Sequence, residues 1–210
     1  MEEEFEFSLD ELIDNMVVNV KEDIKDFSSL VNLKSSLNRE ITLGDINDGT
    51  GDAVDAFINF WNEYDEQKGI PVEDRKPIKL YIDSNGGSLI DTLIIIDSIR
   101  LSKTPVIGIC IGTAYSGGFF TLISCDKRLA YPHASFLFHE GATQTGGTSG
   151  QFENYTEFYK KQLKQLKEIV LNNTKITEEE YEKIKREDIW YDAKEALEKG
   201  IIDEIKEPIE

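Results

Sequence analysis

Ser116 stands in the run Gly112-Thr113-Ala114-Tyr115-Ser116-Gly117-Gly118, just after a continuous apolar stretch over 106–111. The stretch predicts a strand buried on both faces, and the residues after Ser116 predict a helix. A hydroxyl at such a helix start lies in the positive end of the helix field, beside unpaired backbone N–H groups. Acyl transfer needs donors of that kind for the negative charge it develops. The small neighbours would let a substrate backbone come close. The plainer role for Ser116 is an ordinary N-cap serine.

A serine nucleophile needs a base within hydrogen-bond reach, held by rigid structure. The chain has 2 histidines. His133, in Tyr131-Pro132-His133-Ala134, is turn-like and solvated. His139 ends the apolar run Phe136-Leu137-Phe138, beside a Gly-rich loop. It fits a base carried on a strand end, and fits equally a polar residue where a strand leaves the core. Asp188 lies between a charged helical stretch and the apolar Ile189-Trp190-Tyr191. That contrast suits a carboxylate held against buried surface to orient an imidazole; the plainer role is one more solvated acid. Gly86-Gly87, between a strand and a helix, can turn backbone N–H groups toward an oxyanion or can simply form a tight turn. There is no Gly-Lys-Ser/Thr and no G-x-G-x-x-G, hence no phosphate-loop or dinucleotide fingerprint. Two histidines six positions apart and no C-x-x-C pair give poor support to a metal site.

The elements that must position these residues follow a repeated order of strand, Gly-rich turn and helix. A strand over 78–82 leads through Asp83-Ser84-Asn85-Gly86-Gly87 into a helix from Ser88 to about Leu101, with Leu89, Leu93, Ile96 and Ile99 on one side. Pro105 stops it. The strand over 106–111, a turn over 112–116 and a helix over 117–124 come next, then short strands over 128–131 and 135–139. A Gly-rich loop over 141–150 precedes a long amphipathic helix from about Phe152 to Leu171. Thr177-Glu178-Glu179-Glu180 and Asp192-Ala193-Lys194-Glu195 are capping boxes for two short helices, the second stopped by Gly200. This alternation predicts an α/β layered fold with parallel pairing. Upstream, a strand over 41–43 precedes a helix capped by Asp52, with Val54, Phe57, Ile58, Trp61 and Tyr64 on its apolar face; the loop over 67–77 follows. Residues 1–38 read as an N-terminal extension: a capping box at Ser8-Leu9-Asp10-Glu11 opening a helix, a short strand at Val17-Val18-Asn19-Val20, and a Ser/Asn-rich linker over 28–38. The regular domain is expected over 39–210.

Composition narrows the function classes. The 210 residues carry 41 acidic and 23 basic side chains, a net charge of −18. Such a chain offers no basic surface to nucleic acid or to an anionic membrane. No apolar run approaches the ~20 residues of a membrane helix. The start, Met1-Glu2-Glu3-Glu4, lacks the basic region of a secretory signal. Cys110 and Cys125 lie in apolar stretches and read as core residues in a reducing compartment. A cytoplasmic location is the expectation.

Taken together, Ile82-Asp83-Ser84-Asn85-Gly86-Gly87-Ser88, the block from Ile109 to Gly118, Phe138-His139, and Asp192-Ala193-Lys194-Glu195-Ala196 followed by Lys199-Gly200-Ile201-Ile202-Asp203 resemble the ClpP family, the proteolytic subunits of ATP-dependent Clp proteases. The resemblance covers about residues 39 to 205. It implies a ClpP/crotonase-like spiral of strand-turn-helix units and a serine endopeptidase acting on unfolded polypeptides inside an oligomeric chamber. Ser116 matches the family nucleophile, His139 the general base and Asp188 the acid. Gly87 and Gly117 would supply the oxyanion N–H groups. The long helix matches the handle that joins stacked heptameric rings. No cofactor is implied on this chain; ATP would be used by a partner ATPase of the Clp AAA+ type. The chain departs from the family at Asn85, where proline is usual, at Gly117, where a larger residue is usual, and at Glu140, which puts a carboxylate where glutamine is usual beside the histidine. Its N-terminal segment, the axial gate of the family, is longer and acidic. Such features also fit a phage-type relative used in capsid maturation. A non-catalytic scaffold subunit and a crotonase-type acyl-CoA enzyme are the other readings; the complete Ser-His-Asp order and the acidic charge stand against them.

Overall fold

The structure, a computed structural model, describes residues 27–141 and 144–207. The capping box at Ser8 and the strand expected at Val17 lie outside the described residues. The Ser/Asn-rich stretch expected to be a linker is instead a helix, α1 (Phe27–Leu37). Phe27, Leu30, Val31 and Lys34 recur at helical spacing, and that period overrides the loop-like composition.

Arg39, at a positive φ of 62°, turns the chain from α1 into β1 (Glu40–Leu43). Helix α2 (Thr50–Gln67) starts two residues before Asp52, because its N-cap is Gly49 in the left-handed region. Asp52 instead places its charge in the first turn, where the helix dipole favours an acid. Buried Val54, Ile58 and Trp61 mark the inward face of α2. After a 3-10 turn (Val72–Asp74), β2 (Ile78–Ser84) alternates buried Ile78, Leu80, Ile82 and Ser84 with more exposed neighbours. Helix α3 (Leu89–Leu101), capped by Ser88, packs on α2.

Strand β3 (Val106–Tyr115) runs four residues beyond the apolar stretch that announces it. Gly112 is a bulge and not a turn: β2 and β3 pair Ile82 with Cys110 but then Ser84 with Ala114. Asp83 fills the irregularity, accepting from the Thr113 N–H at 3.0 Å and from its hydroxyl at 3.1 Å. A Cβ at Gly112 would strike that carboxylate. The bend lets β3 fork. Its first half pairs with β4 (Lys127–Ala130) and its last three residues pair with β5 (Ser135–Phe138), both parallel. Helix α4 (Gly117–Ile123), buried along its whole length, leads from β3 to β4, and the turn at His133 leads from β4 to β5. Helix α5 (Ser149–Asn173) carries a capping box from Thr148 to Gln151. The short α6 (Glu178–Ile184) leads to β6 (Ile189–Asp192), which pairs antiparallel with β5. Asp192 caps α7 (Ala193–Glu198) through the expected box with Glu195, Gly200 ends it at a φ of 67°, and β7 (Glu204–Ile205) closes on β4. The path β1-β2-β3-β4-β7 is parallel throughout, as the alternation of elements requires. Among the described residues no helix is long and apolar enough to cross a membrane.

One charged cluster is buried in this frame. Both Arg39 guanidinium arms meet the Asp65 carboxylate, at 2.5 and 2.7 Å, and the Thr104 hydroxyl adds a third bond at 3.0 Å. Arg39 also covers the Trp61 ring at 4.5 Å. Burial works to raise the Asp65 pKa, but the bonds from Arg39 and Thr104 and the charges of Arg39 and Arg75 outweigh it and hold the carboxyl below its ordinary value. Removing the carboxylate leaves a buried, uncompensated guanidinium, so Asp65→Ala should cost about 3 kcal/mol in urea denaturation. A depressed carboxyl stabilises the fold above its unfolded value and gives that up as pH falls through the folded one. The gap between wild type and Asp65→Asn should therefore be full at pH 7 and narrow below the ordinary value of 3.8.

Candidate active site

The end of β3 decides where Ser116 goes. Tyr115 pairs with Leu137 of β5, and the Ser116 N–H donates to the Leu137 carbonyl at 3.0 Å. The chain then breaks out of the sheet at Ser116, with φ 51° and ψ −116°. A side-chain-bearing residue pays strain of about 1–3 kcal/mol for such a conformation. The turn resembles the strained strand-to-helix elbow that holds a serine hydroxyl proud of a sheet. Ser116 is the N-cap of α4 by position, its carbonyl accepting from the Phe120 N–H at 3.1 Å. Its hydroxyl, however, makes no capping bond. It faces a cleft of about 760 Å³ instead.

The paired glycines lie against this elbow. Gly86 has a φ of 91°, and a Cβ there would sit 2.7 Å from both the Gly117 nitrogen and the Ser116 Cβ. Gly87, at a φ of 146°, forms a parallel bridge with Ile46. Ile46 donates to the Gly86 carbonyl and accepts from the Ser88 N–H, both at 2.8 Å. Those two bonds leave the Gly87 N–H turned to the other side, and Gly87 and Gly117 both line the cleft. Two departures from the expected family pattern have local reasons. Thr92 Oγ1 occupies the place of a side chain at 117, 2.5 Å from where a Cβ would be. The Asn85 N–H, which a proline would lack, donates to Asp45 Oδ1 at 2.8 Å. Asp91 finishes the turn by accepting from the Ser88 hydroxyl at 2.6 Å and the Gly51 N–H at 2.9 Å. The Ser88-x-x-Asp91 spacing is the capping signal that could have revealed it.

His139 and Asp188 are brought together by the β5–β6 ladder. Its register runs from Ser135 opposite Asp192 to Phe138 opposite Ile189, and one further step sets His139 opposite Asp188. Residues directly opposite across such a pair share a face. His139 Nδ1 lies 3.3 Å from Asp188 Oδ1. The aspartate reaches the ring from the solvent side, with its side chain 64% exposed, and not from against buried surface as its neighbours suggested. Ser116 and His139 line one cleft. No hydrogen bond joins the Ser116 hydroxyl to the ring among the described residues. His133 is exposed on its turn. Glu140 does not pair with the imidazole: its Oε1 accepts from the Tyr181 hydroxyl at 3.0 Å.

The far wall of the cleft comes from α5, through Tyr155, Phe158, Tyr159 and Leu166, and among the described residues no Lys or Arg lines it. Cys110 and Cys125 are buried free thiols away from it. Burial pushes Cys110 up to about 12, so it stays protonated and inert. No group of three His, Cys, Asp or Glu side chains placed to hold a metal ion occurs among the described residues.

A strained serine elbow on an α/β sheet, glycines packed behind it, and a histidine on the same cleft with an aspartate at its Nδ1 make an arrangement suited to serine-hydrolase chemistry. Comparison with known proteins narrows this. A family model described as Clp protease matches residues 71–208. Over 176 residues, the chain is 32% identical to the ATP-dependent Clp protease proteolytic subunit 2 of Prochlorococcus marinus (strain MIT 9312), covering 80% of this chain and 81% of that one. It is also 32% identical to the proteolytic subunit 3 of Synechococcus sp. (strain CC9605), over 80% and 82% of the two chains. The chain belongs to the Clp protease family. It is a Clp-type protease subunit, a hydrolase of peptide bonds.

The elbow has no room for a methyl group at Gly86. Gly86→Ala should push Ser116 and Gly117 by a substantial part of an ångström and lower peptide hydrolysis about 100-fold. Steady-state assays on short fluorogenic peptides, beside a circular dichroism spectrum that stays native, would check this.

Proposed function

We propose that Ser116, His139 and Asp188 are the catalytic triad of this protease, with the Gly87 and Gly117 N–H groups as its oxyanion donors. The contact between His139 Nδ1 and Asp188 Oδ1, across from a serine whose hydroxyl is not spent on capping, carries the reading. With the Nδ1 proton directed to Asp188, Nε2 keeps its lone pair for the serine. Ser116 Oγ attacks the peptide carbonyl while His139 takes its proton. The oxyanion settles on the two glycine N–H groups. His139 then passes the proton to the leaving amine, and water, activated the same way, releases the acyl group. The serine and imidazole must draw together for the first transfer; such bonds are commonly long in an empty site and tighten around substrate.

The wider setting is proposed on the same footing. The relatives named above are proteolytic subunits of ATP-dependent Clp proteases. We take this chain to assemble with itself as stacked heptameric rings and to receive unfolded polypeptide from a Clp-type AAA+ ATPase in the cytoplasm. ATP would be spent by that partner, and this chain needs no cofactor of its own. Exposed Phe152 (53%) and Phe158 (57%) on α5 supply apolar surface for ring-to-ring contact.

Ser116→Ala should abolish both peptide cleavage and labelling by a fluorophosphonate while leaving assembly, followed by sedimentation, intact. Asp188→Asn should lose about 100- to 10,000-fold in kcat and slow fluorophosphonate labelling in step, because the serine loses its base in both reactions. Wild-type protein that neither cleaves peptides nor takes the label, alone or with a Clp-type ATPase, would overturn the reading.

A further inference from the structure

Helix α6 is the element that delivers Asp188, and it is lightly attached. Tyr181 is its buried residue, 1% exposed. The ring packs edge-on against Phe138, the residue before His139, with centroids 5.5 Å apart. The hydroxyl, which burial obliges to find a partner, donates to Glu140 Oε1 at 3.0 Å. Besides its Thr177 cap, the other side-chain ties of α6 are exposed or part-exposed ion pairs, such as Lys167 with Glu178 and Glu182, and pairs of that kind contribute little. Beyond α6 the path to the acid is short and tight. The Lys185 N–H donates to Tyr181 O at 2.9 Å and the Glu187 N–H to Ile184 O at 2.9 Å, and Asp188 follows. Glu140 is held on its other side too, its carbonyl accepting from the Tyr159 hydroxyl of α5 at 3.4 Å.

These contacts close a ring: His139 to Glu140 along the chain, Glu140 to Tyr181 by hydrogen bond, Tyr181 to Asp188 through the end of α6, and Asp188 back to His139 across the ladder. We infer that Glu140 and Tyr181 are positioning residues, joined by the carboxylate–phenol hydrogen bond, that keep the His139–Asp188 rung formed beyond the last paired residues of β5 and β6. The inference rests on the reading of His139 as the base and adds what holds it in place. Neither residue touches the reacting atoms. Burial, with the Glu140 charge added, raises the Tyr181 pKa, so the phenol remains a donor at neutral pH.

Tyr181→Phe keeps the ring and its packing and deletes only the donor. It should lower kcat about tenfold and leave KM within about twofold, the split expected when groups that act in the chemical step are misplaced. E140A should match it, and the double variant should be no worse than about twofold below either single, because one bond is lost in all three. E140Q keeps the acceptor and should recover most of what E140A loses. Hydrogen exchange followed by mass spectrometry should show residues 185–189 opening faster in Tyr181→Phe, with β2 unchanged. A kcat for Tyr181→Phe within about twofold of wild type, or E140Q falling as far as E140A, would overturn the inference while Ser116-dependent activity left the triad reading standing. Should the wild type prove inactive, the triad reading falls, and unaltered exchange over 185–189 in Tyr181→Phe would overturn the positioning link by itself.

Discussion

One backbone hydrogen bond sets the geometry on which the rest depends: the Ser116 N–H to the Leu137 carbonyl. It is the last rung between β3 and β5, and it is made by the residue whose φ has already turned positive. The strand is therefore pinned at the point where it leaves the sheet. On one side of that pin the chain enters α4. On the other, two residues past Leu137, stands His139. Serine and histidine owe their nearness to a parallel ladder of three pairs, and histidine and aspartate owe theirs to an antiparallel ladder of four. A single short strand, β5, belongs to both.

Packing behind the elbow is as constrained as the elbow itself. Gly86, Gly87 and Gly117 bring three stretches of backbone close enough that each would meet its neighbour through a methyl group. Thr92 fills what space remains beside Gly117, and Ile46 and Asp91 tie the glycine turn to the strand and helix around it. Strain at Ser116 is tolerated because its own N–H and carbonyl, and the Gly86 carbonyl and Ser88 N–H beside it, are all held in hydrogen bonds. The cleft that results is apolar and aromatic along α5 and polar where the glycines and the histidine open into it.

Much of this was legible in the residues, for identifiable reasons. Alternation in β2, the unbroken apolar run of β3 and the capping signals at Thr177 and Asp192 are local, and local structure follows them, although only Asp192 closes a full box. The fork in β3 was not legible, because Gly112 signals a turn as readily as a bulge, and only the partner strand carrying Asp83 distinguishes them. Composition misled at α1, where Ser and Asn masked a helical period. Ser116 could be picked out but not its conformation, since serine gives no sign of a positive φ. Asp188 drew notice for the apolar residues after it, yet it reaches His139 by ladder register and from the solvent side. Glu140 drew notice only as a carboxylate beside the histidine and Tyr181 drew none: 41 positions separate them, and nothing local in either segment pairs one with the other.

Strand β6 has β5 along one edge and, among the described residues, no strand along the other. Fraying of its first rung would part Asp188 from His139 while disturbing none of the buried apolar residues of β1 to β4, and local openings of that sort need far less free energy than global unfolding. On the proposed triad, thermal robustness and turnover are therefore separable properties. If the proposed triad holds, a preparation could melt at its full temperature, sediment correctly and still be silent, because a measurement of folding does not see the His139–Asp188 pair.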